Sequence, residues 1–482
     1  MEELYNLLKA IKALLLEKLP SEIKKPLKKV EKIIEDSIIA PGSTMSLLTT
    51  YLNIKPRLEN LNSYQDSEGN TSLPLVIAYD NVAIAKLLIH YKADINAQNN
   101  KRETPLHTAA YHGYIEAIEL LTSLNGNLQI PALFHMTPFH YAVQGGHIEA
   151  AKKLIFLNGL NSAIKDEATP LHIAAYNNYM DIAEWLISEG AKIEARTING
   201  ETPLYLAAQK EHYHMCDYLI SKGADINSPN NYGETLLYLA VQENKLELAH
   251  FFISKGANPN FSTKNGTSPL HITAQNSLNN IADFLLSLGV DVNAKTNEGT
   301  TPLHFAVIIG NYHLTCLLIK SGANVNAKTH NEETPLHFAI KRGLPNDSKK
   351  QHLQIALELI DKGAEIDSRG KKDFTPFLIA IKRGDTQMAQ ILIGKGANIY
   401  AETICEENAW DLADKNPQLI KLLDDTDNQS QNNHSTQEEN NTTIHHPSIK
   451  YIKYFLPGDE TLATLQSPQT PLSASPSKRQ RN

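Results

Sequence analysis

The string "TPLHFAV" that starts at Thr301 returns as "TPLHFAI" at Thr334, 33 residues on. A fixed period of this length constrains the fold more than any composition does. Each copy must be one small unit that cannot bury its apolar face alone and so stacks on its neighbours. Stepping back finds "SPLHIT" at Ser268, "TLLYLA" at Thr235, "TPLYLA" at Thr202, "TPLHIA" at Thr169, "TPFHYA" at Thr137, "TPLHTA" at Thr104 and a decayed "TSLPLV" at Thr71. Stepping forward finds "TPFLIA" at Thr375 and "NAWDLA" at Asn408. Every step is 33 residues except Thr137 to Thr169, which is 32, and Thr334 to Thr375, which is 41. About eleven units run from Gly69 to Leu423.

The unit from Thr301 to Glu333 shows what one copy does. Thr301 is placed to cap a helix, with Pro302 in its first turn, where a missing N–H costs nothing. Leu303, Ala306 and Val307 then fall on one helical face, and Gly310 and Asn311 break the chain. Leu314, Leu317, Leu318 and Ile319 mark a second amphipathic helix. Gly322 follows it, where a left-handed residue is wanted. The Asn-rich remainder, "ANVNAKTHNEE", reads as a turn or short hairpin. Counting 21 residues from each start, and allowing for the insertion before Gly363, gives Gly in seven units, Asn125 and Asn158 in two, and Lys92 in the first. Asn is the next most tolerant residue at positive φ.

Hydrophobic residues make up 41% of the 482-residue chain and charged residues 20%, enough apolar material for a continuous core. A net charge of −8 argues against general nucleic-acid binding by the whole chain. Cys216, Cys316 and Cys405 lie in different units, and the first two read as small core residues of a reducing compartment. No apolar run reaches the ~18 residues of a membrane span, and "MEELYNLLKA" lacks the pattern of a secretory signal.

The "TPLH" openings, the 33-residue period and the "GADIN", "GANPN" and "GANVN" endings resemble the ankyrin repeat family over about three quarters of the chain. The resemblance implies an all-α solenoid of about eleven helix-turn-helix units with projecting hairpin turns. It also implies a non-enzymatic protein–protein interaction module that binds on a concave face of first helices and hairpin tips, with no cofactor and no shared catalytic residue.

Six histidines fill the "PLH" position: His107, His140, His172, His271, His304 and His337. They suggest a metal array at first sight. Their spacing is that of the repeat, and Tyr205 and Tyr238 take the same place in two units, so each is expected to hydrogen-bond its Thr or a neighbouring turn. His212, His214 and Cys216 form a local cluster, but alternate residues on a helix diverge too far for one zinc ion. No nucleophile elbow, phosphate-binding Gly loop or HExxH is present.

In the family fold the seventh and eighth residues after each Thr end the first helix on the concave face, and the tips lie three and four residues before it. Those positions predict a partner surface of two characters. Early units offer Tyr111, His112, Leu133, Phe134 and Tyr176, which are apolar or aromatic; late units offer Lys341, Arg342, Lys371, Lys372, Lys382 and Arg383, which fit an acidic or phosphorylated partner segment. The insertion Leu344–Gln351 is expected to lie beside the basic group and reach over a ligand.

The chain ends carry weaker signals. Residues 1–66 read as two Lys-rich amphipathic helices and a decayed unit that cap the array of residues 67–423, and residues 424–482 as a disordered polar tail. Within the tail, Ser467, Thr470 and Ser475 precede proline, and Lys478, Arg479 and Arg481 resemble a nuclear-import cluster. Frequent Asn and Ile resemble the composition of ankyrin effectors that intracellular bacteria export into host cells. The expected location is the cytoplasm, or a host cytosol or nucleus. The expected partner is another protein, not a small-molecule substrate, nucleic acid or membrane. An adaptor that feeds a partner to a modifying enzyme such as a ubiquitin ligase is the alternative, and no recruiting box stands beyond Leu423 to favour it.

Overall fold

The computed structural model describes residues 25, 28–32, 64–155, 159–342, 348–414 and 416–435. Among them the regular elements are all helices, with no strand. The chain divides into compact units Met1–Lys421 and Leu422–Asn482.

Within the first unit the repeat folds as its sequence dictates. Thr301 is extended (φ −101°, ψ 166°) and caps the helix Pro302–Ile309, which has proline in its first turn. Gly310 closes that helix at φ 83°. Asn311 then accepts the Leu314 N–H at 3.0 Å to start the second helix, Tyr312–Lys320. First helices pack on the first helices of adjoining repeats, and second helices on second helices. Leu303, Ala306 and Val307 are fully buried as expected, whereas in the second helix the buried residues are Leu314, Thr315 and Leu318. Leu317 and Ile319 stay half-buried on its flank, because a nine-residue helix presents only one narrow stripe to the core.

Gly322 sits at φ 93°, and a Cβ there would meet nothing within 4 Å, so the position selects glycine by backbone conformation alone. Asn125 and Lys92 adopt the same left-handed conformation, at φ 63° and 66°. The stack therefore imposes the turn even on lysine, at a local cost of about 1–3 kcal/mol. Asn158 lies outside the described residues.

The paired asparagines of the repeat endings tie units together. Asn324 Oδ1 accepts the Asn326 N–H at 2.9 Å, fixing an Asx turn. Asn326 Oδ1 in turn accepts the Glu365 N–H of the next unit at 2.8 Å. The same pair recurs when Asn227 accepts from Asn258 at 2.7 Å and Asn293 from Asn324 at 2.7 Å. These donors lie on exposed residues, and in each case the side chain that reaches across the seam links one repeat to the next.

The six histidines are structural. The Thr104 N–H donates to His107 Nδ1 at 3.0 Å, and Thr104 Oγ1 lies 2.9 Å from the same nitrogen. Nδ1 is thus the acceptor, so Nε2 carries the proton and donates to the Met136 carbonyl of the next unit at 3.2 Å. His271 and His304 repeat the arrangement with the Thr300 and Glu333 carbonyls at 3.1 and 3.3 Å. Burial drives His107, His172, His271, His304 and His337 down to about 4. Burial also lowers His140.

Two expectations change. Of the insertion, residues 348–351 form the first turn of a lengthened second helix, Ser348–Asp361, of 14 residues. Lys and Gln in "SKKQ" are good helix formers, so the added residues from Ser348 extend a helix instead of a loop; residues 343–347 lie outside the described set. At the other end, the helix Pro417–Ser435 runs through residues expected to be disordered from 424. Asn416 caps it by accepting from Gln418 and Leu419, and extension of an existing helix costs far less than nucleation. Of the expected N-terminal cap, residues 28–32 are helical with Val30 buried. The rest of that segment, and the tail from 436 with Lys478, Arg479 and Arg481, lies outside the described residues.

Candidate functional site

The face made by first-helix ends and turn tips is held by a backbone ladder. The Leu133 N–H donates to the Lys101 carbonyl, Lys165 to Phe134, Ile198 to Asp166 and Asn231 to Asn199, at 2.8–2.9 Å. Each tip is therefore hung on the one before it, and side chains at equivalent positions stand in a row.

On this ladder Phe134 is 58% exposed, at φ 60°. Tyr111 and His112 close the helix Pro105–His112, both exposed, and His112 stacks on Tyr114 with ring centroids 5.3 Å apart. Tyr176 ends its own first helix, with Lys210 Nζ 4.5 Å from its ring centroid, a cation–π contact. Sequence reading missed exposed Ile198, Tyr232, Ile309 and Ile404, the last at 68%. All four fall at tip or helix-end positions, so the same count along the repeat would have found them.

The late basic positions lie in two adjoining units whose first helices, Pro335–Arg342 and Pro376–Lys382, pack together. Lys341 is ion-paired with Glu333, whose side chain is only 8% exposed, so its charge is largely spent inside the repeat. Lys371 and Lys372 form the tip, and Lys372 sits at φ 59°. Lys382 lies with Nζ 4.9 Å from the Phe374 ring, and Arg383 is exposed beside it. Arg369 pairs with Asp373 at 3.4 Å. Among the described residues, Arg342, Lys371, Lys372, Lys382 and Arg383 carry the positive charge of this end that no ion pair engages.

A crevice of about 210 Å³ opens on the same face at the first three repeats. It is lined by Pro74, Leu75 and Ala78 of the first repeat, His107, Tyr111 and His112 of the second, Tyr141 of the third, and Glu68 and Glu103 of the turns.

Other candidates dissolve. His212 Nε2 contacts the Tyr176 carbonyl at 3.1 Å, His214 is exposed, and Cys216 is buried with its thiol pushed up to about 12 by desolvation. Among the described residues no group of three His, Cys, Asp or Glu could hold a metal. No described helix is long and apolar enough to cross a membrane.

Comparison with known proteins adds the family. A segment of 146 residues is 29% identical to alpha-latroinsectotoxin-Lt1a of Latrodectus tredecimguttatus, covering 30% of this chain and 8% of the toxin. The crystal structure of the ankyrin repeat domain of Bcl-3, described as a unique member of the IkappaB protein family, aligns at 24% identity and a TM-score of 0.42; it covers 48% of this chain and 100% of that one. Ankyrin repeat domains bind other proteins and are generally interaction scaffolds, not enzymes. The family model for ankyrin repeats in three copies matches residues 45–132, 122–197, 171–262, 237–329 and 310–403, which with the repeat geometry above establishes that this chain belongs to the ankyrin repeat family.

Proposed function

We propose that the array binds one partner protein along its first-helix ends and tips, with apolar anchors in the early repeats and an acidic or phosphorylated segment over the late ones. The observation that carries the reading is the set of exposed apolar tips, Phe134, Ile198 and Tyr232, held on one backbone ladder with the polar tip Lys165–Asp166 between the first two. Rigid aromatic and aliphatic side chains exposed on a fixed frame are what an interface core uses as anchors. In the late repeats Lys372, Lys382 and Arg383 sit on a chain of net charge −8, so their local field is opposite in sign to the average and favours an anionic segment.

The test uses the partner recovered by affinity purification on the array. Phe134→Ala and Ile198→Ala should each weaken binding by roughly tenfold, as a central interface anchor does. Charge reversal of Arg342, Lys372, Lys382 and Arg383 should slow association and flatten its salt dependence. Equal binding by all these variants at low and moderate salt would place the interface elsewhere.

A further inference from the structure

The crevice at the first three repeats differs in chemistry from the rest of the face, and we propose that it receives a cationic side chain, arginine or lysine, of the bound partner. The inference rests on the partner-binding reading above and adds a specific residue requirement to it. Pockets for drug-sized ligands hold ~300–1,000 Å³, so a crevice of about 210 Å³ suits a single side chain.

Its walls suit a cation. The Tyr111 and Tyr141 rings stand 6.4 Å apart at 73°, forming an aromatic corner. Ring faces attract a cation through their quadrupole. Glu103 lies at the same corner, held from two sides: the Tyr141 hydroxyl donates to one carboxylate oxygen at 2.7 Å, and Asn99 Nδ2 donates to the other at 2.7 Å. Asn99 is itself locked, accepting the Lys101 and Glu103 N–H groups at 2.9 Å. A carboxylate offers about four lone-pair sites, so roughly two remain after these bonds. The carboxylate is thus fixed in place before any ligand arrives, which lowers the ordering cost of binding.

Among the described residues no lysine or arginine pairs with Glu103. Lys101 is paired with Glu68 at 3.0 Å. His107 is neutral at pH 7, its proton committed to the Met136 carbonyl. Burial holds His112 below its ordinary value too, with His147 pushing the same way. The crevice therefore presents the Glu103 carboxylate, and a Glu68 carboxylate already paired with Lys101, next to two rings, while the late repeats are cationic. A partner segment with a basic residue at one end and acidic residues at the other matches the face in one orientation only.

The experiment titrates the full chain, with ring-labelled tyrosine, using acetyl-Gly-Arg-Gly-amide and acetyl-Gly-Gln-Gly-amide and following the Tyr111 and Tyr141 ring signals by NMR. The arginine peptide should bind roughly tenfold more tightly than the glutamine peptide. Glu103→Gln keeps an oxygen for the Tyr141 hydroxyl yet should abolish that preference. Tyr111→Leu, which leaves the Glu103 network untouched, should weaken the arginine peptide without strengthening the glutamine one. Equal titration by the two peptides, or an unchanged preference in Glu103→Gln, overturns the assignment. If the tip variants abolish partner binding while the two peptides titrate alike, the face stands and only the cation site fails.

Discussion

Lowering the pH from 7 to 5 should unfold most of this array. The six buried histidines are lowered on folding, five of them to about 4, against about 6.5 in an unfolded chain. A histidine held below its unfolded value contributes stability that is complete above about 6.5 and is lost as pH falls towards about 4, because over that window the unfolded state binds more protons. At pH 5 the loss is about 2 kcal/mol for each of the five histidines lowered to about 4, or on the order of 10 kcal/mol over these five if the array melts together, and His140 acts in the same direction. Protonation would also put a second N–H where Nδ1 now accepts the Thr backbone N–H, so both cap and ring must move. Carboxylates titrate near 4 in an unfolded chain, below this window. The repeats that carry Tyr205 and Tyr238 lack the device and should outlast their neighbours. Urea melts at pH 7, 6 and 5, with amide exchange at each, read out both effects. A midpoint constant from pH 7 to 5 would contradict the structural assignment of the histidines.

Phe139→Ala should cost about 3–5 kcal/mol, and the loss should be local. Phe139 is fully buried, with its ring 6.3 Å from that of Trp185 in the following repeat. Repeats couple only to their neighbours, so a cavity at this seam weakens one interface and leaves remote ones alone. The chain's two tryptophans, Trp185 and Trp410, report separate ends of the array. Single-tryptophan versions, with the other replaced by Phe, should show the Trp185 midpoint in urea falling and the Trp410 midpoint nearly unchanged. Equal shifts at both would mean that the array unfolds as one block.

The fold was legible because each repeat states its backbone needs in a few residues. Thr and Pro mark the first helix, and Gly322 and its equivalents mark the left-handed exit. Other features were less so. The asparagine pairs could be read as turn formers, but not as the side chains that cross to the next repeat, because a 31-residue bond such as Asn293 to Asn324 depends on how units stack. Lys341 looked as free as Lys382, and only the fold reveals Glu333 underneath it. Ile198 and Tyr232 were visible by register, yet they stand singly in polar turns and carry no local signal. The Tyr111–Tyr141–Glu103 corner joins residues up to 38 apart, so no local motif announces it.

Amide hydrogen exchange of the array with and without its purified partner tests the interaction face most directly. Bound partner should slow exchange at residues 111–113, 132–135, 198–199 and 231–232, where first helices end and tips project. The second helices Tyr213–Ser221 and Leu246–Ser254 should exchange as they do in the free chain. Protection confined to those second helices, with the tips unchanged, would contradict the account.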